Sequence, residues 1–251
     1  MIRIYLEKDY EAMSRRAANV IAAEIIKKPD WVLGLATGST PIGTYKCLID
    51  MCNAGDISFK DVKTVNLDEY KGLAGTHDQS YRYFMNDNLF NHVDIVMENT
   101  NVPDGLAEDA DAECARYDAL VESYGFADLQ LLGLGNNGHI GFNEPDSVYT
   151  KATHVVHLTE STIDANKRFF ASADDVPRQA LTMGMGCIMA ARRVLLIANG
   201  EAKADAIYNA FSGPITPECP ASILQLHPDV VVVCDEAALS KFLEAGGTVC
   251  K

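Results

Sequence analysis

The stretch Val194-Leu-Leu-Ile-Ala-Asn-Gly-Glu-Ala-Lys203 runs five apolar residues together, turns at a glycine and opens into a helical pattern. Val230-Val-Val-Val233 repeats the first half of that signature. Unbroken apolar runs this short belong to strands covered on both faces, the habit of parallel sheets. Outward from these two, strands are expected over 2–5, 31–35, 62–67, 129–133, 154–158, 194–198 and 230–234. Helices are expected over 9–27, 41–52, 79–90, 108–124, 160–170, 202–211 and 236–244. This alternation predicts an α/β fold, an open and mostly parallel sheet with helices on both faces. Pro41 suits the first turn of its helix, because the N–H it lacks would have no partner there. No Ser/Gly/Pro-rich linker divides residues 1–251, which are read as a single domain.

Bulk properties narrow the function. Hydrophobic residues at 48% and charged residues at 22% are those of an ordinary globular chain, without repeats or biased tracts. Lysine and arginine total 21 against 35 acids, a net charge of −14, so neither nucleic acid nor an anionic membrane surface is expected as a partner. The seven cysteines, at 47, 52, 114, 187, 219, 234 and 250, lack Cys-x-x-Cys spacing. That pattern fits reduced thiols in the cytoplasm. Charges begin at the third residue and no run approaches the roughly 18 apolar residues of a membrane span. No signal peptide or membrane segment is expected.

Open α/β sheets bind ligands beyond the carboxyl ends of their strands, so the residues just after each apolar run carry the functional information. Four junctions stand out. In Gly34-Leu-Ala-Thr-Gly-Ser-Thr-Pro41, Gly38 permits close approach of backbone N–H groups while Ser39 and Thr40 add hydroxyls before a helix start. A phosphate fits there, and so does an ordinary capped turn; the Gly-Lys-Ser/Thr ending of a Walker motif is missing. In Val65-Asn-Leu-Asp-Glu-Tyr70, Asp68 follows a strand directly and could take a proton from carbon if desolvated, although paired acids also make solvated caps. In Leu132-Gly-Leu-Gly-Asn-Asn-Gly-His-Ile-Gly-Phe-Asn-Glu-Pro145, His139 stands among four glycines with Glu144 five residues on, too polar and contorted for core packing. An imidazole oriented by a carboxylate is a standard proton-transfer pair. In the fourth junction, Lys203 opposes the dipole of its helix, as a lysine answering a bound anion would, or is a surface lysine. Arg168 is a second candidate anion ligand, or part of a wet helix face.

Metal binding is not expected: His77, His92, His139, His154, His157 and His227 form no clustered spacing. His154 and His157, three apart on a strand, point to opposite faces. Met183, Met185 and Met189 read as core packing.

At these residues the chain resembles the glucosamine-6-phosphate deaminase family, through ATGSTPIGTYK, VNLDEY, DQSYRYF, GLGNNGHIGFNEP, TIDANKRFF, PRQALTMGMG, GEAKADAI and LQLHPDVVVVCDE. The match covers nearly the whole chain. The resemblance implies a Rossmann-like sheet and the conversion of glucosamine 6-phosphate and water into fructose 6-phosphate and ammonia, without metal or organic cofactor. It makes Asp68 the base that moves a proton from C2 to C1 through an enolamine. It makes His139 the assistant of ring opening, with Glu144 holding the imidazole. It sets the phosphate against Gly38, Ser39, Thr40, Arg168 and Lys203, and the stretch 158–181 as a mobile lid.

The chain departs from the family pattern in two places. Asn137 stands where some members carry aspartate; an amide can orient His139 but cannot ionise, so Asn137→Ala is expected to slow ring opening and Asn137→Asp to be mild. The stretch 146–156, where some hexameric members bind the activator N-acetylglucosamine 6-phosphate, has Lys151 as its only lysine or arginine. Hyperbolic kinetics and a monomer or small homo-oligomer are therefore expected. Two other readings are a lactone hydrolase of the 6-phosphogluconolactonase kind, which does not need the Asp68 base, and a sugar-phosphate-sensing domain without turnover.

Overall fold

The computed structural model describes residues 1–159, 170, 172 and 176–250. Its strands are β1 (Ile2–Glu7), β2 (Val32–Leu35), β3 (Lys63–Asn66), β4 (Asp68–Tyr70), β5 (Thr100–Asn101), β6 (Leu129–Leu132), β7 (His154–His157), β8 (Gln179–Thr182), β9 (Arg193–Ala198) and β10 (Val230–Asp235). Its helices are α1 (Tyr10–Lys27), α2 (Ile42–Asn53), α3 (Tyr81–Asn88), α4 (Ala110–Ser123), α5 (Met185–Ala190), α6 (Ala204–Ser212) and α7 (Glu236–Glu244).

Seven strands form one sheet in the order β1-β10-β9-β6-β2-β3-β5, and every neighbouring pair is parallel. The apolar runs of β9 and β10 are fully covered, as their composition demands. From β2 the chain steps to β3 and β5, then returns to β6 on the other side of β2 and continues through β9 to β10. Right-handed crossovers in opposite directions put their helices on opposite faces, and α1 packs on α2 while α6 packs on α7. The reversal between β2 and β6 opens a crevice at the carboxyl ends of the strands. Caps fix the helix starts: Asp9 accepts from Ala12 N–H at 2.8 Å, and Ser80 from Tyr83 N–H at 3.0 Å.

The expectation for 154–158 needs correction. His154–His157 lies outside the parallel sheet, in an antiparallel sheet of order β4-β8-β7. Its half-exposed residues suit a sheet with one wet face. Strands β4 and β8 were not foreseen, because the acids of Asp68-Glu-Tyr70 argue against a strand and only the pairing with β8 overrides that propensity. A small second core of Tyr70, Phe142, Leu158, Val176 and Ala180 lies around this sheet. The helix expected over 160–170, Arg168 and most of the expected lid lie outside the described residues. The ends of that lid stretch belong to the sheet: Leu158 N–H donates to Arg178 O at 3.0 Å, and β8 pairs with both its neighbours.

Candidate active site

Strands β9, β6, β2 and β3 are consecutive neighbours and parallel, so the four junctions singled out in the sequence emerge side by side at one sheet edge. Distant stretches of chain thereby share one crevice.

Asp68 opens β4 opposite Thr182 and is 6% exposed. Among the described residues no group donates a hydrogen bond to its carboxylate; burial, helped by the adjacent Glu69 charge, pushes its pKa up to about 8. Alternation along the strand sends Glu69 the other way. There it accepts from the backbone N–H groups of Tyr81 (2.8 Å) and Arg82 (2.9 Å), anchoring the start of α3. Burial still holds Glu69 above the ordinary carboxylate value, against the pull of these bonds. The two acids are therefore no solvated cap, since one faces the crevice and the other belongs to the scaffold. Next to them the rings of Tyr70 and Tyr81 lie 4.9 Å apart, and Tyr81 stacks on Phe142 at 5.8 Å. This aromatic wall, together with the β8 contacts, is what the sequence did not announce.

The loop after β6 coils on itself, with Gly135 N–H donating to His139 O (2.9 Å) and Gly138 N–H to Gly135 O (3.0 Å). The imidazole lies over Gly135, where a Cβ would fall 2.3 Å from Nδ1, so the position requires glycine. His139 Nδ1 is 3.4 Å from Glu144 Oε2, and the Glu144 side chain is 7% exposed. Asn137 does not orient the imidazole itself. Its Oδ1 accepts from the His139 backbone N–H at 3.2 Å, and its Nδ2 donates to Glu144 Oε2 at 2.7 Å. It thus fixes the loop and the carboxylate that faces the ring.

Strand β8 splices this loop to the Asp68 strand. Phe142 N–H donates to Thr182 Oγ1 (3.0 Å), Asn143 Nδ2 to Met183 O (2.9 Å) and Met183 N–H to Leu67 O (2.7 Å). A Cβ on Gly141 would sit 3.4 Å from Asp68 Oδ2, so the His139 loop borders the buried acid directly.

The candidate anion ligands lie on the flanking junctions. Gly38 has φ +95, and no side chain caps α2. The capped-turn reading of Ser39 and Thr40 is therefore not what the chain builds. Instead the Tyr10 hydroxyl accepts from Gly43 N–H (2.8 Å) and reaches the carbonyls of Ser39 (3.1 Å) and Thr40 (3.2 Å), holding the turn from outside. Lys203 ends the short turn Glu201–Lys203 before α6, and Asp235 fixes that turn by accepting from Gly200 N–H with both oxygens (3.0 and 2.9 Å). Among the described residues the Lys203 ammonium has no hydrogen-bond or ion-pair partner, and burial lowers its pKa. No three His, Cys, Asp or Glu side chains gather among the described residues, and all seven cysteines are free. No described helix is long and apolar enough to cross a membrane. Met183 and Met185 are core residues.

Residues 7–233 match the family described as glucosamine-6-phosphate isomerases/6-phosphogluconolactonase. The chain is 61% identical over 225 residues to a glucosamine-6-phosphate deaminase of Lachnoclostridium phytofermentans, covering 90% of this chain and 95% of that one. It is 55% identical over 240 residues to one of Clostridioides difficile, covering 96% of each. A solved structure described as a monomeric glucosamine-6-phosphate deaminase superposes with a TM-score of 0.93 at 47% identity, over 95% of this chain and 99% of that chain. The 6-phosphogluconolactonase of Thermotoga maritima shares the fold, with a TM-score of 0.76 at 18% identity over 94% of this chain. With its seven-stranded parallel sheet and single-domain α/β fold, the chain belongs to the glucosamine-6-phosphate isomerase/6-phosphogluconolactonase family.

Proposed function

We infer that this chain is a glucosamine-6-phosphate deaminase, converting glucosamine 6-phosphate and water into fructose 6-phosphate and ammonia. The observation that carries the reading is Asp68, a carboxylate buried without donors beside the His139 loop. Lactone hydrolysis takes no proton from carbon and does not need a carbon base, whereas deamination with isomerisation does, and a raised pKa suits that task. Relatives above 50% identity carry the deaminase name, while the lactonase likeness is one of fold.

In the reaction, His139 exchanges the ring-opening proton, and Glu144 stabilises the charged imidazole as it forms. Asp68 then takes the C2 proton of the open amino-aldehyde and returns it at C1. The enolamine between these steps becomes an imine at C2, which water hydrolyses to the ketone and ammonia. Lys203 and the turn of Gly38, Ser39 and Thr40 hold the phosphate, with Arg168 as a further ligand, and this remote binding positions C1 and C2 over Asp68. The enzyme acts in the cytoplasm as a monomer or small homo-oligomer, with hyperbolic kinetics unaffected by N-acetylglucosamine 6-phosphate.

Purified protein incubated with glucosamine 6-phosphate should release ammonia and fructose 6-phosphate in equal amounts. Hydrolysis of 6-phosphogluconolactone with no ammonia from the amino sugar would overturn the reading.

A further inference from the structure

We propose that Ser222 is a positioning residue for the His139–Glu144 pair, acting through the segment 213–222 that clamps the loop carrying them. The inference rests on the deaminase reading, and it assigns work to a residue that touches none of the reacting groups.

Ser222 is fully buried, and its hydroxyl closes a turn. Thr216 N–H donates to Ser222 Oγ at 2.9 Å, Oγ donates back to Thr216 O at 3.0 Å, and the Tyr149 hydroxyl lies 3.2 Å away. The turn so closed grips the His139 loop at both ends. At the near end, Ala221 N–H donates to Gly138 O at 2.9 Å. Gly138, between Asn137 and His139, has φ +86, and a Cβ there would lie 2.7 Å from Cys219 Sγ. At the far end, two residues past Glu144, Asp146 N–H donates to Pro217 O at 3.2 Å, and Tyr149 reaches Ser222 itself.

The loop is therefore held from two sides. Strand β8 bonds its middle, at Phe142 and Asn143, and sets its place relative to Asp68. The segment 213–222 bonds its ends and sets the span over which Asn137 bridges the His139 backbone to Glu144. Without the Ser222 hydroxyl, the half-buried Thr216 N–H loses its partner and the turn relaxes away from Gly138. The phosphate turn is not touched, so the effect falls on turnover rather than on binding.

The test compares Ser222→Ala, Asn137→Ala and the double variant with wild type, on glucosamine 6-phosphate and per folded molecule by circular dichroism. For Ser222→Ala, kcat should fall about tenfold with KM within about twofold. The double variant should lose scarcely more than Asn137→Ala alone, because both act on the same loop pose. Tyr149→Phe, which leaves the turn closed, should move kcat in the same direction by about threefold and serves if Ser222→Ala does not fold. Unchanged kcat in the folded variants, a loss confined to KM, or additive losses in the double variant would each overturn the proposal. Absence of turnover in wild type would instead overturn the deaminase reading.

Discussion

At the amino-terminal ends of the parallel strands, Arg193 lies between Asp229 (2.8 Å) and Glu24 (2.6 Å), and Arg3 also pairs with Asp229. At the carboxyl ends, Asp68 and Lys203 are bonded to no opposite charge among the described residues. Burial raises the carboxyl at both ends, more at Asp68, 6% exposed, than at Asp229, whose side chain is 30% exposed, and donors reverse its effect at Asp229 alone. Burial pulls Asp229 upward, but the bonds from Arg193 and Arg3 outweigh it and hold the carboxyl below its ordinary value. Asp68 feels burial with no donor to oppose it and rises to about 8. One end uses charge to hold strands and helix together, while the other keeps charge unsatisfied for a substrate to meet.

The contrast breaks most sharply at Asp68. Asp68→Asn should lower kcat by about a thousandfold or more, since a carbon base has no substitute there. The same change should stabilise the protein. Folding lifts the Asp68 pKa from 3.8 to about 8, so wild type loses stability as pH rises through that window, and the variant escapes the loss. The gain, on the order of 5 kcal/mol at about 1.4 kcal/mol per pH unit, should grow from pH 4 to pH 8 in urea melts and stay level above. In wild type kcat/KM should climb with pH to about 8 as the base ionises. A variant that is both inactive and less stable at pH 8 would contradict the buried, unpaired state.

Lys203→Met and Arg193→Ala sharpen the comparison from both ends. Losing the unpaired cation should raise KM for the phosphorylated substrate about 10- to 100-fold with no loss of stability. Losing Arg193 leaves Asp229 with Arg3 and Glu24 with Lys27, and should cost about 1–2 kcal/mol in urea unfolding while kcat/KM per folded molecule is unchanged. The reverse pattern, with Lys203 mattering to folding and Arg193 to turnover, would dissolve the division between the two ends.

The sequence made the division visible in part. Strands β9 and β10 were legible because an unbroken apolar run has few other uses, and so was the gathering of the Asp68, His139 and Lys203 junctions at one end of the sheet, because polar or glycine-rich segments follow such runs. Strands β4 and β8 were not: their pairing joins Asp68-Glu-Tyr70 to Gln179–Thr182, and no local propensity encodes a contact so distant in sequence. Thr182 stayed hidden for the same reason, since it bonds Phe142 in a distant loop, and Ser222 hid behind a local turn, its contact with Tyr149 being the distant one. The Glu69 role was hidden by proximity: two adjacent acids look equivalent until alternation separates them.

Asn137 tests how finely charge is tuned at the carboxyl end. Sequence alone makes Asn137→Asp a mild change, but Nδ2 donates to Glu144 Oε2 at 2.7 Å. An aspartate would set carboxylate against carboxylate there. Such a pair is tolerated while it shares one proton and repels once both ionise. Asn137→Ala, which forfeits two hydrogen bonds, should cost about tenfold in kcat at every pH. Asn137→Asp should stay close to wild type near pH 6 and fall severalfold behind by pH 8, even as the wild-type rate climbs with Asp68 ionisation. The decisive quantity is the ratio of variant to wild-type kcat across that range. If the ratio for Asn137→Asp is flat, Glu144 is not bonded to residue 137 during turnover, and the orienting contact must be sought elsewhere in the loop.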